Sequence, residues 1–159
     1  MPTLTPCLFF DRTALTAAEF YVGVLPESRI DSVATTPSDT PFQKKGDVLS
    51  VQFTVLGQPF VAINGGAQFP FTEAVSFQVH CADQAEVDHY WDALLAGGGE
   101  PSRCGWLEDR FGLSWQVIPS AMGEYLGGPD AAGAGRAMVA MLQMTKLDVD
   151  ALRRAYEGA

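Results

Sequence analysis

Glu19-Phe20-Tyr21-Val22-Gly23-Val24-Leu25 lies, under a shift of 69 residues, over Asp88-His89-Tyr90-Trp91-Asp92-Ala93-Leu94. The same shift sets Cys7-Leu8 over Ser76-Phe77. Both heptapeptides read as helix and both dipeptides as strand, so strand falls on strand and helix on helix, as a duplicated module requires. Identities are few, and the weight of the repeat comes from this agreement in element type.

The neighbouring residues extend the pattern in both copies. Leu4 to Phe10 reads as a strand, and Asp11 and Thr13 offer caps to a helix that Pro26 stops near Leu25. Arg29 to Thr36 predicts a second strand and Pro37 to Gly46 a loop. Leu49-Ser50-Val51-Gln52-Phe53-Thr54-Val55 alternates as a half-buried strand does, and Leu56-Gly57-Gln58 turns it into Pro59 to Asn64 as a hairpin. In the second copy Ala74 to His80 alternates, Asp83 caps a helix from Gln84 to Leu95, and Gly97-Gly98-Gly99 closes it. Short strands around Cys104 to Glu108 and Leu113 to Ile118 follow, joined by Asp109-Arg110-Phe111-Gly112. Beyond Pro119 comes an Ala/Gly-rich helical segment through Met144, then a last helix capped by Asp148 and running to Tyr156. The expected fold class is α+β, one domain over 1–159, with module one at about 1–70, module two at about 71–120 and a helical tail at about 120–159.

With 47% hydrophobic and 18% charged residues the chain has ample core material, so disorder is excluded. Its net charge of -9 repels phosphate backbones and anionic membrane surfaces, which argues against nucleic acid and membrane as partners. No apolar run is long enough to cross a bilayer and Met1-Pro2-Thr3-Leu4 has no basic leader, which points to a cytoplasmic protein. Cys7, Cys81 and Cys104 are too scattered for a disulfide framework and are expected as thiols.

Several stretches carry a family resemblance. They are Cys7-Leu8-Phe9-Phe10-Asp11, Gly57-Gln58-Pro59-Phe60, Asn64-Gly65-Gly66, Phe71 to Phe77, and Cys104-Gly105-Trp106-Leu107-Glu108-Asp109-Arg110-Phe111-Gly112-Leu113-Ser114-Trp115-Gln116. They resemble the PhnB-like branch of the glyoxalase, bleomycin-resistance and extradiol-dioxygenase (vicinal oxygen chelate) superfamily, and Met141 to Asp148 of the tail resembles it too. The resemblance implies two βαβββ modules with curved sheets around a cleft, and a homodimer. Members of this branch often carry the label 3-demethylubiquinone-9 3-methyltransferase. A methyl transfer from S-adenosylmethionine would need a glycine-rich turn from strand into helix, followed by an acidic residue for the ribose. Asn64-Gly65-Gly66 instead runs into Ala67-Gln68-Phe69-Pro70, and Gly97-Gly98-Gly99 follows a helix.

Metal-dependent members of the superfamily place ligands on the first, fourth, fifth and last strands. Carried over by motif, these positions fall on Cys7 or its neighbour Pro6, then Ala62, Ser76 and Gln116. Only Cys7 is a good ligand, so no metal site and no cofactor are expected. His80 is the one candidate general base, although no carboxylate partner is evident to orient it, and His89 falls on a helix face expected to be solvated. Asp109-Arg110 reads as an ordinary surface pair at a hairpin.

Ser50, Gln52 and Thr54 share one strand face, as do Ser76, Gln78 and His80, and Ser114 and Gln116. Neutral hydrogen-bonding side chains where Lys and Glu would normally face water suggest an enclosed surface for a small organic ligand. The expected ligand-binding residues are Cys7, Gln52, Phe60, Asn64, Ser76, Gln78, His80, Trp106 and Gln116, with Trp106, Phe53 and Phe60 as aromatic walls and Trp115 packed behind the sheet. An enzyme of the superfamily with an atypical site is the alternative, and a tail surface carrying Met138, Met141 and Met144 a third reading.

Overall fold

The computed structural model describes residues 1–159, which form two compact units, Met1–Pro70 and Phe71–Ala159. The first contains β1 (Cys7–Phe10), α1 (Ala14–Val24), β2 (Arg29–Thr35), β3 (Val48–Val55) and β4 (Gln58–Asn64). Its sheet has the order β1-β4-β3-β2, with β1 parallel to β4 and the other pairs antiparallel. The second contains β5 (Ser76–Cys81), α2 (Gln84–Leu95), β6 (Glu100–Pro101), β7 (Trp106–Glu108) and β8 (Ser114–Pro119), in the order β5-β8-β7-β6 with β5 parallel to β8. Each unit is therefore a βαβββ module with the same strand order and the same single parallel pair. Cys7 and Ser76 open β1 and β5, at the spacing of the sequence repeat.

Packing holds the helices in place. The α1 sequence Ala-Leu-Thr-Ala-Ala-Glu-Phe-Tyr-Val-Gly-Val is a mediocre helix former, with Gly23, two valines and a threonine. It persists because Ala14, Ala17, Ala18 and Tyr21 are buried against the sheet. The Tyr21 ring lies 6.3 Å from that of Phe53, and Phe53 stacks on Phe60 at 5.4 Å. In the second unit Val87, Trp91 and Leu94 of α2 are buried, as are Val79, Cys81, Leu107, Trp115 and Val117 of its sheet. Burying such side chains contributes about 2 kcal/mol each.

Three local expectations change. Neither Asp11 nor Thr13 caps α1, since Thr13 makes no side-chain bond and Asn64 Oδ1 instead accepts from the Ala14 N–H at 3.0 Å. The second sheet has an additional strand, β6, only two residues long. The tail is three helices, α3 (Met122–Leu126), α4 (Ala131–Met141) and α5 (Val149–Glu157), interrupted by Gly127-Gly128-Pro129 and restarted where Asp130 Oδ1 accepts from the Ala132 N–H. The segment between α4 and α5 is tied to the second unit by Cys104 N–H donating to the Met144 carbonyl and Gly105 N–H to that of Thr145, both at 2.8 Å. Gln84 of α2 adds two bonds, its Nε2 donating to Leu147 O at 3.1 Å and its Oε1 accepting from Val149 N–H at 2.8 Å. No helix is long and apolar enough to cross a membrane.

Candidate functional site

The face of the second sheet turned away from α2 brings together most of the residues singled out in that unit. Register sets Ser76 opposite Ser114 and Gln78 opposite Gln116 across β5 and β8, and Trp106 opposite Gln116 across β7 and β8. Alternation then places Ser76, Gln78, His80, Trp106, Ser114 and Gln116 on one side and Val79, Leu107, Trp115 and Val117 on the helix side. The polar members form a chain. Gln78 Nε2 donates to Gln116 Oε1 at 3.2 Å, and Gln116 Nε2 donates to Ser76 Oγ at 2.8 Å. Both ends of the Gln116 amide are thereby fixed, leaving Gln78 and Ser76 with unused hydrogen-bonding capacity. His80 is exposed at the end of this face, opposite Ile118, and no side chain is bonded to its ring.

This face is not wholly neutral. Glu108 lies opposite Ser114, and the short β6 sets Glu100 directly opposite Glu108. Strand parity with Trp106 placed Glu108 within reach of sequence reasoning, whereas a two-residue strand containing Pro101 offers no alternation to detect. The first sheet departs from expectation in the same way. Gln52 and Ser50 do lie away from α1, but Thr54 is buried and donates to Asp31 Oδ2 at 2.6 Å, and Asp31 pairs with Arg29 at 2.7 Å. A bulge between Ile30 and Ser32 permits that reach.

Three singled-out residues of the first unit are placed otherwise than as ligand-facing groups. Phe60, with Phe53, belongs to the core behind the sheet, because Phe53 pairs with Phe60 and both turn toward Tyr21. Asn64 spends its carbonyl on Ala14 N–H and its amide on Val48 O at 3.0 Å, and borders a hollow of about 540 Å³ beside Arg12, Phe42 and Gln43. Ala62, the carried-over ligand position on β4, is fully buried, paired with Leu8 and Val51. Its neighbour Val61 is the residue opposite both Cys7 and Gln52.

The donors offered to a metal ion are therefore poor. On the first sheet Cys7, an exposed thiol, stands beside Val61, which has no donor atom. On the second, Ser76 and Gln116 are neutral and already bonded to each other. A divalent cation needs carboxylate, imidazole or thiolate donors in number, and this set does not fit one. No group of three His, Cys, Asp or Glu side chains is arranged to hold an ion. Cys81 is a buried structural thiol, and burial, helped by Glu86 and Asp83, pushes its pKa up to about 11.

Asp109 is a correction to the surface-pair reading. Only 2% exposed, it accepts from Phe111 N–H at 2.8 Å and Leu113 N–H at 3.1 Å through Oδ1, and from Trp115 Nε1 at 2.9 Å through Oδ2. It fixes the β7–β8 connection that carries Trp106 and Gln116. An Asp followed by Gly three residues on, with Trp nearby, was the available signal.

A glycine-rich strand-to-helix turn is also missing from the geometry. Asn64-Gly65-Gly66 leads into irregular chain, where the Phe9 ring tip lies against the Gly65 backbone.

Comparison with known proteins agrees with this architecture. The family model of 3-demethylubiquinone-9 3-methyltransferase matches residues 2–118, stopping short of Met141–Asp148, which the sequence reading includes in the resemblance. The structure of the PhnB protein of Bacillus cereus is 30% identical, with a TM-score of 0.67, over 75% of this chain and 100% of that one. A Pseudomonas aeruginosa protein is 19% identical at a TM-score of 0.60, over 75% of this chain and 98% of that one. The fosfomycin resistance protein FosX of Listeria monocytogenes shares the fold at 12% identity and a TM-score of 0.52, over 76% and 93% of the two chains. No curated protein matches this chain. Duplicated βαβββ modules, the matched residues and these neighbours together make the chain a member of the 3-demethylubiquinone-9 3-methyltransferase family, within the vicinal oxygen chelate superfamily.

Proposed function

We propose that this chain is a cytoplasmic, homodimeric binding protein for a small, mildly polar organic molecule, which it holds without a metal ion against the open face of its second sheet. The observation that carries this reading is the Gln78–Gln116–Ser76 chain beside Trp106. Two amides and a hydroxyl, oriented by each other in advance, present donors and acceptors to a ligand at little entropic cost, while the indole supplies apolar area. Such a surface suits an amide, alcohol or carbonyl compound.

The family name favours a second reading, an enzyme. Against methyl transfer stand the lack of a glycine-rich turn from strand into helix and sheets with one parallel pair each. Against metal-assisted chemistry stands the donor set above.

An NMR titration of the full chain with uncharged aromatic amides such as benzamide tests the proposal. Shifts are expected to cluster on Ser76, Gln78, Trp106 and Gln116, and Gln116→Leu is expected to weaken binding by about tenfold, one lost buried hydrogen-bond set. Shifts confined elsewhere overturn the site. Stoichiometric zinc, iron or manganese in protein purified without chelator overturns the metal-free part.

A further inference from the structure

The connection between α4 and α5, residues 142–148, grips the stretch from which β7 departs, and both lie within the second unit. Cys104 and Gly105 immediately precede Trp106 and both have left-handed backbone, at φ of 57° and 83°. For a cysteine that conformation is unfavourable and persists only where the surroundings hold it. The hold comes from the tail. Cys104 N–H donates to Met144 O and Gly105 N–H to Thr145 O, both at 2.8 Å. Fully buried Leu147 lies against the Gly105 backbone, where a Cβ would come within 2.9 Å of its Cδ1. The Gly105 carbonyl in turn accepts from Val117 N–H at 2.8 Å, one residue from Gln116.

Little else fixes the start of β7. The strand is three residues long, with β8 on one side and the two-residue β6 on the other, and Trp106, its first residue, stands opposite Gln116. Without the tail, two N–H groups of the turn lose their partners and Cys104 is free to relax to the ordinary backbone region, which redirects the chain as it enters Trp106. The tail segment is itself fastened to α2. Gln84 bonds Leu147 O and Val149 N–H, and Lys146 pairs with Asp88 at 2.6 Å. Gln84 lies on the helix side of the sheet, away from the open face.

We propose that the α4–α5 connection is the positioning element of the ligand site, with Leu147 and the Met144 and Thr145 carbonyls setting where the Trp106 indole stands beside Gln116. The proposal rests on the reading of the open sheet face as the ligand surface and adds what controls it. Leu147 and Gln84 are then positioning residues that act on the ligand through the Cys104-Gly105 turn. Coupling of this kind is reciprocal, so a ligand on Trp106 also tightens the grip of the tail.

The test is NMR on the full chain with benzamide as the probe, following the indole N–H of Trp106 beside those of Trp91 and Trp115. Leu147→Ala is expected to shift the Trp106 resonance in the free protein, leave that of Trp91 in place, and weaken benzamide binding by about tenfold. Gln84→Ala, at a half-buried position, is expected to do the same at about threefold, and it carries the test should Leu147→Ala fail to fold. Leu147→Met keeps the volume and is expected to bind as the wild type does. Leu94→Ala, a buried truncation on α2 away from the tail, is expected to lower stability and leave both the Trp106 resonance and the affinity unchanged. Benzamide is also expected to slow hydrogen exchange at the Cys104 and Gly105 N–H groups. Wild-type affinity and an unmoved Trp106 resonance in Leu147→Ala and Gln84→Ala overturn the positioning role and leave the binding face standing, as does an equal loss of affinity in Leu94→Ala. Absence of benzamide binding to the wild type overturns the face, and the proposal with it.

Discussion

The helices of the two modules, α1 and α2, are held at their N-termini in different ways. In α2 the device is local, with Asp83 Oδ1 accepting from Glu86 N–H at 3.0 Å and Glu86 Oε2 accepting from Ala82 N–H at 2.7 Å, a reciprocal cap within five residues. In α1 the cap comes from Asn64, fifty residues away on β4. The hairpins repeat this pattern. The β3–β4 turn is closed by Leu56 and Gly57, at φ of 49° and 79°, and Ser28 Oγ, far upstream, accepts from the Leu56 N–H at 3.1 Å. Its counterpart between β7 and β8 relies on buried Asp109 reaching Trp115. One topology thus tolerates local and remote solutions to the same hydrogen-bonding problem, the first unit drawing on distant residues and the second on near ones.

Asp109 offers the largest way to break the comparison. Asp109→Ala strands the Trp115 indole N–H and two backbone N–H groups in a buried turn, and chemical denaturation is expected to show a loss of about 3 kcal/mol. No substitution at Leu56 should approach that. A smaller contrast lies at the helix caps. Asn64→Ala removes a cap and a bond to Val48 O together, with an expected cost of about 2 kcal/mol, against about 1 kcal/mol for Asp83→Ala. Equal costs in denaturation would mean that the remote cap adds nothing beyond a local one. Smallest of all, Leu56→Asn should stabilise by about 0.5 kcal/mol, read as a higher melting temperature. Asn tolerates the left-handed backbone at Leu56 and makes the turn the favoured Asn-Gly, at the loss of a half-exposed leucine.

The same contrast explains what the sequence could disclose. The Asp83 cap, the Leu56-Gly57 hairpin and the alternation of β3, β5 and β8 depend on residues close in the chain, and all were legible. Phe60 was misplaced because its face follows from its pairing with Phe53 and from Tyr21 beyond it, and register is not written in either strand alone. Ala62, which has no donor atom, lies on the helix-facing side of β4, one residue from Val61. The open face of the second sheet was half legible. Ser76, Gln78 and Gln116 followed from alternation, but the opposition of Glu100 to Glu108 required a strand too short to recognise.

Register also shows how far the two sheets have diverged at matched positions. Cys7 and Val61 stand where the second unit has Ser76 and Ser114, and Phe9 and Ile63 stand where it has Gln78 and Gln116. The helix-facing sides remain apolar in both units. Divergence has been concentrated on the other side, apolar in the first unit's parallel pair and hydrogen-bonding in the second's.

Gln84 binds the backbone at Leu147 and Val149, partners 63 and 65 positions downstream. On a ribosome, α2 emerges before those partners are made, so its amide faces water until residues 147 to 149 have left the exit tunnel. Buried Leu147 and Leu152 reach their places only then. Chains that lack this stretch would expose the apolar seat those leucines fill.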